Sequence, residues 1–324
     1  SAMSLMSLAG LIGPLMGPTL GGWLVEVATW HWIFLINLPM GVLGMIMTLK
    51  VMPNQTEPTV KPFDLSGFIL LMIAMVGLSL GIENIAAPQY SRLVSISLLV
   101  IGTIATIGYA YHAHSHQNAL FHGRLFRYKI FSIGVLGNFF ARLGSNAIPF
   151  ILPLMLQVAF GFEPFFTGLM MIPLVLGSLF SKPIIRPLIQ RVGYRRFLLT
   201  NTVLVGLCIA SFALMTATTP LWLKVLHLFI FGTLNSLQFV GMNTLTLKDL
   251  PQQDASSGNS FLSMIMMLSM SIGVALAGTL INVFGQHFST ASLTTAFHAT
   301  LITLGCINLV TALVFWQIPK EMAD

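Results

Sequence analysis

Apolar stretches of about 20 residues recur along nearly the whole sequence, and short polar segments separate them. A stretch of this length crosses the hydrocarbon core of a bilayer as an α-helix, whereas the strands of a membrane barrel would show a two-residue alternation. Only 7% of the 324 residues are charged, against about 25% in soluble domains. The sequence therefore predicts an all-α, polytopic integral membrane protein and excludes a water-soluble domain.

The hydropathy pattern predicts about ten transmembrane helices. Ten spans place both termini of the chain on the same side of the membrane. The predicted spans are 5–26, 32–52, 65–86, 93–112, 131–157, 166–185, 197–216, 223–247, 259–284 and 297–317.

The basic residues predict the orientation of these spans. Twelve Lys and Arg residues lie in or beside the loops on one face, and only Arg92 and Lys224 lie on the other. Because cytoplasmic loops collect Lys and Arg, both termini are expected in the cytoplasm. The formal charge of +6 is explained in the same way, so nucleic acid is not an expected partner.

The two longest polar segments, which flank the third and fourth spans, predict the domain organisation. Residues 1–52 would be a two-helix remnant of an N-terminal bundle, and residues 53–130 a central two-helix insert with its cytoplasmic linkers. A complete six-helix bundle follows at 131–317, and a cytoplasmic tail at 318–324.

The first span combines glycines four residues apart, which share one helix face, with prolines that bend the helix. A generic close-packing face is the simplest interpretation of this pattern. Its motif residues are Gly13, Pro14, Gly17, Pro18, Gly21 and Gly22.

This segment resembles the antiporter motif on the fifth helix of drug exporters in the major facilitator superfamily. The following residues, from Trp30 to Gly41, resemble the outer loop and sixth helix of the fourteen-span drug:proton antiporters of the EmrB/QacA type. The resemblance covers nearly the whole chain and implies two six-helix bundles around a central cavity. The ten spans would then correspond to the fifth through fourteenth, a partial major facilitator fold that lacks the first four helices and any coupling carboxylate on them.

A second motif lies between the sixth and seventh predicted spans and resembles the second-bundle copy of the superfamily's cytoplasmic loop motif. Gln190 stands where that motif normally has Asp, which argues against the usual charge relay. Gly193 would permit a tight turn. A plain anchor of positive charge at the inner face explains the segment equally well. The motif residues are Arg191, Gly193, Arg195 and Arg196.

Polar residues inside the spans are candidates for the lining of a substrate cavity, because they are expensive in lipid. Asn138, Arg142 and Asn146 recur every fourth residue and form one polar stripe. Arg142 would contact substrate or compensate a proton-carrying carboxylate of the other bundle. The alternative is a buried arginine that bonds backbone carbonyls at a helix break near Pro149 and Pro153.

The eighth span adds Asn235 and Gln238 as cavity-lining candidates, near the same face as His227. Histidine can exchange a proton near neutral pH, which makes His227 a weak candidate for proton coupling. An interfacial hydrogen-bonding role is the alternative.

Neither a cofactor nor a metal ion is expected. His112, His114, His116 and His122 could share a cation, but no Cys, Asp or Glu lies between Tyr111 and Lys129 to complete such a site. Both cysteines fall inside apolar stretches.

The expected function is transmembrane transport in the bacterial inner membrane, specifically efflux of several drugs or lipophilic cations by proton antiport. The antiport direction rests on the family resemblance. The expected partners are the bilayer, small-molecule substrates and protons, with an accessory export protein as a further candidate. The alternatives are a narrow metabolite exporter and a transport-inactive fragment. The spans contain no catalytic constellation that would indicate an enzyme.

Overall fold

The computed structural model describes residues 17, 20–25, 27–29, 31–51, 63–86, 90–116, 119–287 and 293–319. Every regular element within these ranges is helical, which confirms the predicted all-α class. Short 3-10 turns at Gly123–Arg127 and Phe212–Leu214 and a π turn at Met155–Ala159 join some of the helices. The helices are α1 (Trp32–Leu35), α2 (Asn37–Val51), α3 (Leu65–Ala86), α4 (Arg92–Ser115), α5 (Lys129–Ser145), α6 (Ile148–Leu154), α7 (Pro164–Met170), α8 (Ile172–Val192), α9 (Tyr194–Ser211), α10 (Leu221–Lys248), α11 (Gln252–His287) and α12 (Leu293–Trp316).

Nine helical stretches among the described residues are long and apolar enough to cross a membrane. The prediction for 65–86 coincides with α3, whereas α11 extends beyond the predicted 259–284 at both ends. The remaining predicted span, 5–26, lies largely outside the described residues. Large hydrophobic side chains cover the outer surfaces, and α2 has no buried residue. This distribution is expected where lipid surrounds the helices.

Helices α3 and α4 form an antiparallel hairpin that packs through glycine. A Cβ atom added to Gly77 would overlap the backbone of α4 near Gly102, and one added to Gly102 would overlap the backbone of α3. At one end of the hairpin, Asn84 donates a hydrogen bond to the Ser95 hydroxyl at 2.6 Å.

Close packing at glycines also joins two helix pairs in the C-terminal part of the chain. Helices α8 and α10 cross at Gly177 and Gly232, where an added Cβ atom would overlap a carbonyl oxygen of the opposite helix. Helices α9 and α12 cross at Gly206 and Gly305. With the α3–α4 hairpin, these are the three most extensively packed helix pairs in the structure.

Polar contacts place the hairpin against the C-terminal helices. The Tyr109 hydroxyl on α4 accepts a hydrogen bond from the amide of Phe121, at 2.7 Å. The Ser257 hydroxyl on α11 donates to the carbonyl of Leu120, and Arg124 forms an ion pair with the buried Asp254 of α11. The segment between α4 and α5 is therefore fixed to both α4 and α11.

We predict that Gly232→Ala will destabilise the protein because its methyl group would overlap the carbonyl oxygen of Leu174. Overpacking of this kind typically costs about 1–3 kcal/mol. Thermal unfolding of the purified protein in detergent measures the effect. Gly278→Ala is the matched control, since its Cβ would meet no described atom within 4 Å. Equal melting temperatures for the two variants would contradict this packing.

Candidate substrate site in the C-terminal bundle

Arg142 lies in the interior of the bundle, with only 4% of its surface exposed. Its Nε donates to the Asn138 side-chain oxygen at 3.2 Å, and its Nη2 approaches the Asn243 side-chain oxygen at 3.5 Å. The guanidinium carbon lies 4.2 Å from the centroid of the Phe239 ring, in a cation–π contact. The four-residue spacing of Asn138 and Arg142 on α5 thus brings the two side chains into contact.

Asn138 connects this arginine to helix α10. Its Nδ2 donates to the carbonyl of Gly134 at 3.0 Å and to the Thr246 hydroxyl at 3.2 Å. The Thr246 hydroxyl in turn donates to the carbonyl of Met242 at 2.7 Å. Asn138, Arg142, Asn243 and Thr246, which we call the Arg142 cluster, therefore form a hydrogen-bonded set across α5 and α10.

The charge of Arg142 faces neutral partners. Among the described residues, no carboxylate lies within ion-pair distance of its guanidinium group. A guanidinium group is always protonated and offers five donors. The site can therefore accept an anionic group, such as a substrate carboxylate or a carboxylate of another part of the transporter.

Helix α12 adds polar groups that the sequence reasoning missed. Asn308 is fully buried; its Nδ2 donates to the carbonyl of Ala141 at 3.3 Å, and its Oδ1 has no hydrogen-bond partner. A Cβ at Gly144 would overlap the Leu304 carbonyl, so α5 and α12 approach closely here. An asparagine in the middle of a predicted span was the available signal.

Asn146, the third residue of the predicted stripe, lies one helical turn beyond Arg142 and is half-buried. Its backbone amide donates to the Arg142 carbonyl at 2.9 Å and ends α5. A break in the helix does occur in this region, as α6 follows directly and a π turn begins at Met155, two residues after Pro153. The Arg142 side chain hydrogen-bonds to the side chains of Asn138 and Asn243.

Gln238 belongs to a separate set of contacts. Its Oε1 accepts from Asn201 at 2.7 Å, and its Nε2 donates to the Thr202 hydroxyl at 2.7 Å, both on α9. The structure therefore places Gln238 at the α9–α10 interface and does not join it to the Arg142 cluster. Asn235, on the same helix, is half-buried.

His227 is also at the α9–α10 interface. Its Nε2 lies 2.9 Å from the Ser211 hydroxyl and 3.1 Å from the Cys208 carbonyl. Its ring stacks on Phe212, with centroids 3.9 Å apart. These contacts hold the ring in place, and its role in proton coupling stays a prediction.

The loop motif lies where α8 turns into α9. Gly193 has a φ of 78°, a conformation that glycine adopts without strain, and its amide caps α8 by donating to the Ile189 carbonyl. Arg195 donates to the carbonyl of Trp316 at 3.0 Å at the end of α12. Arg191 and Arg196 are exposed.

The first-span motif is only partly described. Gly22 lies against the Pro164 carbonyl at the start of α7, and an added Cβ would overlap it. Added Cβ atoms at Gly17 and Gly21 would meet no described atom within 4 Å. Gly13, Pro14 and Pro18 fall outside the described residues.

An ionisable side chain in the interior of a helical membrane protein indicates a functional site, and comparison with known proteins gives the family. The model of the Major Facilitator Superfamily matches residues 134–323, so the chain belongs to this superfamily of transporters. It is 48% identical over 326 aligned residues to a protein of Escherichia coli O6:H1 named "Putative multidrug resistance protein MdtD". The alignment covers 99% of this chain and 69% of that relative.

Proteins of the same name in Escherichia fergusonii and Escherichia coli O157:H7 are 48% and 47% identical to it, with the same coverage. The comparisons confirm the predicted family resemblance. Together with the apolar helices found among the described residues, they identify the chain as a multi-pass protein of the bacterial inner membrane.

We predict that the two polar sets are energetically independent. A double-mutant cycle for Asn201→Ala and Gln238→Ala should give a coupling of about 0.6 kcal/mol, and up to about 1.7 kcal/mol, because these side chains share a hydrogen bond. The cycle for Asn138→Ala and Gln238→Ala should be additive. Unfolding free energies in detergent provide both values; strong coupling in the second cycle would show that Gln238 belongs to the Arg142 cluster.

Proposed function

We propose that the protein acts in the efflux of lipophilic or cationic compounds in exchange for protons. The observation that carries this proposal is the buried Arg142, which faces neutral partners within a transporter of the Major Facilitator Superfamily. The name of the similar proteins, which refers to multidrug resistance, supports the broad substrate range.

Arg142 would act in this cycle through its fixed charge. A cation close to a carboxylate favours the ionised form of that carboxylate. A carboxylate of the opposing bundle would release its proton when it approaches Arg142, and it would bind a proton again when a cationic substrate or a conformational change separates the two. We place that carboxylate in the part of the transporter that the Escherichia coli relative has outside the aligned region.

Each proposed domain would have its own role in transport. Residues 1–52 would contribute to the N-terminal bundle, residues 53–130 would form the two-helix insert, and residues 131–317 would form the opposing bundle that contains the Arg142 cluster. Alternating access would then move the two bundles against each other around a central site. An accessory export protein stays a candidate partner.

A narrow exporter of an anionic metabolite is the second candidate function. A guanidinium group without a carboxylate neighbour among the described residues would bind a substrate carboxylate or phosphate directly. Chemically unrelated cations would then fail to compete for transport.

The first experiment measures proton-coupled efflux of a fluorescent cationic dye from cells that lack their own exporters. It compares the chain alone, the chain preceded by the N-terminal helices of the Escherichia coli relative, and Arg142→Ala in the longer protein. We expect efflux from the longer protein and its loss in Arg142→Ala. Arg92→Ala, which removes an exposed arginine of the hairpin, should transport normally.

The outcomes separate the candidates. Efflux of an anionic metabolite without efflux of the dye would favour the narrow exporter. A correctly inserted longer protein that transports neither substrate would contradict both proposals. Efflux by the longer protein alone would identify the chain by itself as a transport-inactive part.

The proposed orientation places the loop around Gly123 in the cytoplasm and the loop around Thr218 outside it. Both positions are exposed in the structure. A membrane-impermeant maleimide should label Thr218→Cys in intact cells and Gly123→Cys only after permeabilisation, in a background in which Cys208 and Cys306 are replaced by alanine. The reverse pattern would invert the proposed topology.

A further inference from the structure

The end of the α3–α4 hairpin brings together three potential metal ligands. The ligating atoms of Asp64, His112 and His116 all lie within 4.8 Å of one another. Asp64 directly precedes α3, whereas the two histidines lie at the end of α4, one helical turn apart. Because the hairpin is antiparallel, residues 48 positions apart in the sequence meet here.

Asp64 is held in position before any ion binds. Its Oδ1 accepts from the Gly67 amide at 2.8 Å and lies 2.8 Å from the His112 Nε2. Its side chain is 1% exposed, and its Oδ2 has no hydrogen-bond partner. A buried carboxylate oxygen with free lone pairs is an available ligand.

The two histidines have the spacing that binds metal ions on helices. Positions i and i+4 lie on one helix face, as in helical zinc motifs. The rings of His112 and His116 are stacked, with centroids 4.6 Å apart. In a tetrahedral zinc site the ligating atoms lie about 3.3 Å apart, which follows from zinc–ligand distances of about 2.0–2.1 Å. His116 is exposed, so its ring is free to make the small rotation that this spacing requires.

We propose that Asp64, His112 and His116 form a binding site for a transition-metal ion of the Zn²⁺ type at this end of the hairpin. Two imidazoles and one carboxylate suit zinc and its neighbours, whereas calcium and magnesium prefer a shell of oxygen ligands. Three protein ligands leave a fourth position for water or another ligand. The ion would join the start of α3 to the end of α4.

The effect of His116 on metal affinity distinguishes a metal site from a simple ion pair between Asp64 and His112. The contact between Asp64 and His112 is sufficient to explain these two residues without a metal. His116 has no such pairing with Asp64, so only a metal site gives it a role in ion affinity. His114 lies between the two histidines and instead lines an apolar cavity of about 410 Å³ between the hairpin and α11.

The test is zinc binding by the chain purified in detergent without a histidine tag and stripped with a chelator. Titration with Zn²⁺ alone, followed by calorimetry or competition with a zinc indicator, should give one tight site per chain. His116→Ala should weaken binding more than about tenfold, since even loss of an outer-shell partner commonly costs that much. His114→Ala, the matched control, should bind normally.

Cobalt provides an independent readout. Co²⁺ bound to the chain should show the visible absorption of a four-coordinate complex, which His116→Ala should lose while its melting temperature without metal stays unchanged. Absence of stoichiometric zinc binding would overturn the proposal. Unchanged affinity in His116→Ala, or an equal loss in His114→Ala, would overturn it as well.

Discussion

Close contact between helix backbones is the constraint on which the rest of this structure depends. Lipid is as apolar as the side chains, so helices in a membrane associate largely through van der Waals packing rather than through exclusion of water. Pairs of glycines at Gly77 and Gly102, and at Gly177 and Gly232, let helices approach until a single methyl group would overlap a backbone atom. The contact of Gly144 with the Leu304 carbonyl similarly sets the distance at which Asn308 reaches the carbonyl of Ala141.

The spans were predictable because the signal for each one is local. The length and hydropathy of a segment alone decide whether it can cross the bilayer, and the prediction for 65–86 agrees with α3. The partners of each helix were not predictable in the same way. Gly177 and Gly232 lie far apart in the sequence, and only the packing of α8 on α10 brings them together. Nothing in the local sequence distinguishes these glycines from Gly278, which has no close neighbour among the described atoms.

In the candidate site, too, the contact within one helix was predictable from the sequence, whereas the contacts between helices were not. Asn138 and Arg142 are neighbours on one helix face, so their hydrogen bond follows from helical geometry alone. The interhelical members of the Arg142 cluster, Asn243 and Thr246, depend on where α10 packs against α5. Gln238 lies on α10 as well, but its position on that helix turns it towards α9, where Asn201 and Thr202 complete its hydrogen bonds. A polar residue within a span therefore indicates that a partner exists, but the sequence does not indicate on which helix.

The position of the hairpin depends on polar contacts as well as on glycine packing. Glycine packing fixes α3 against α4, but polar groups on the segment that follows the hairpin fix its position on α11, through Arg124 with Asp254 and Leu120 with Ser257. In the ion pair the Arg124 side chain is exposed and Asp254 is buried, so the pair costs less desolvation than one with both groups in the interior. Asp64 and His112 meet at the same end of the hairpin. Glycine packing thus holds α3 against α4, and polar contacts of the segment that follows hold the hairpin against α11.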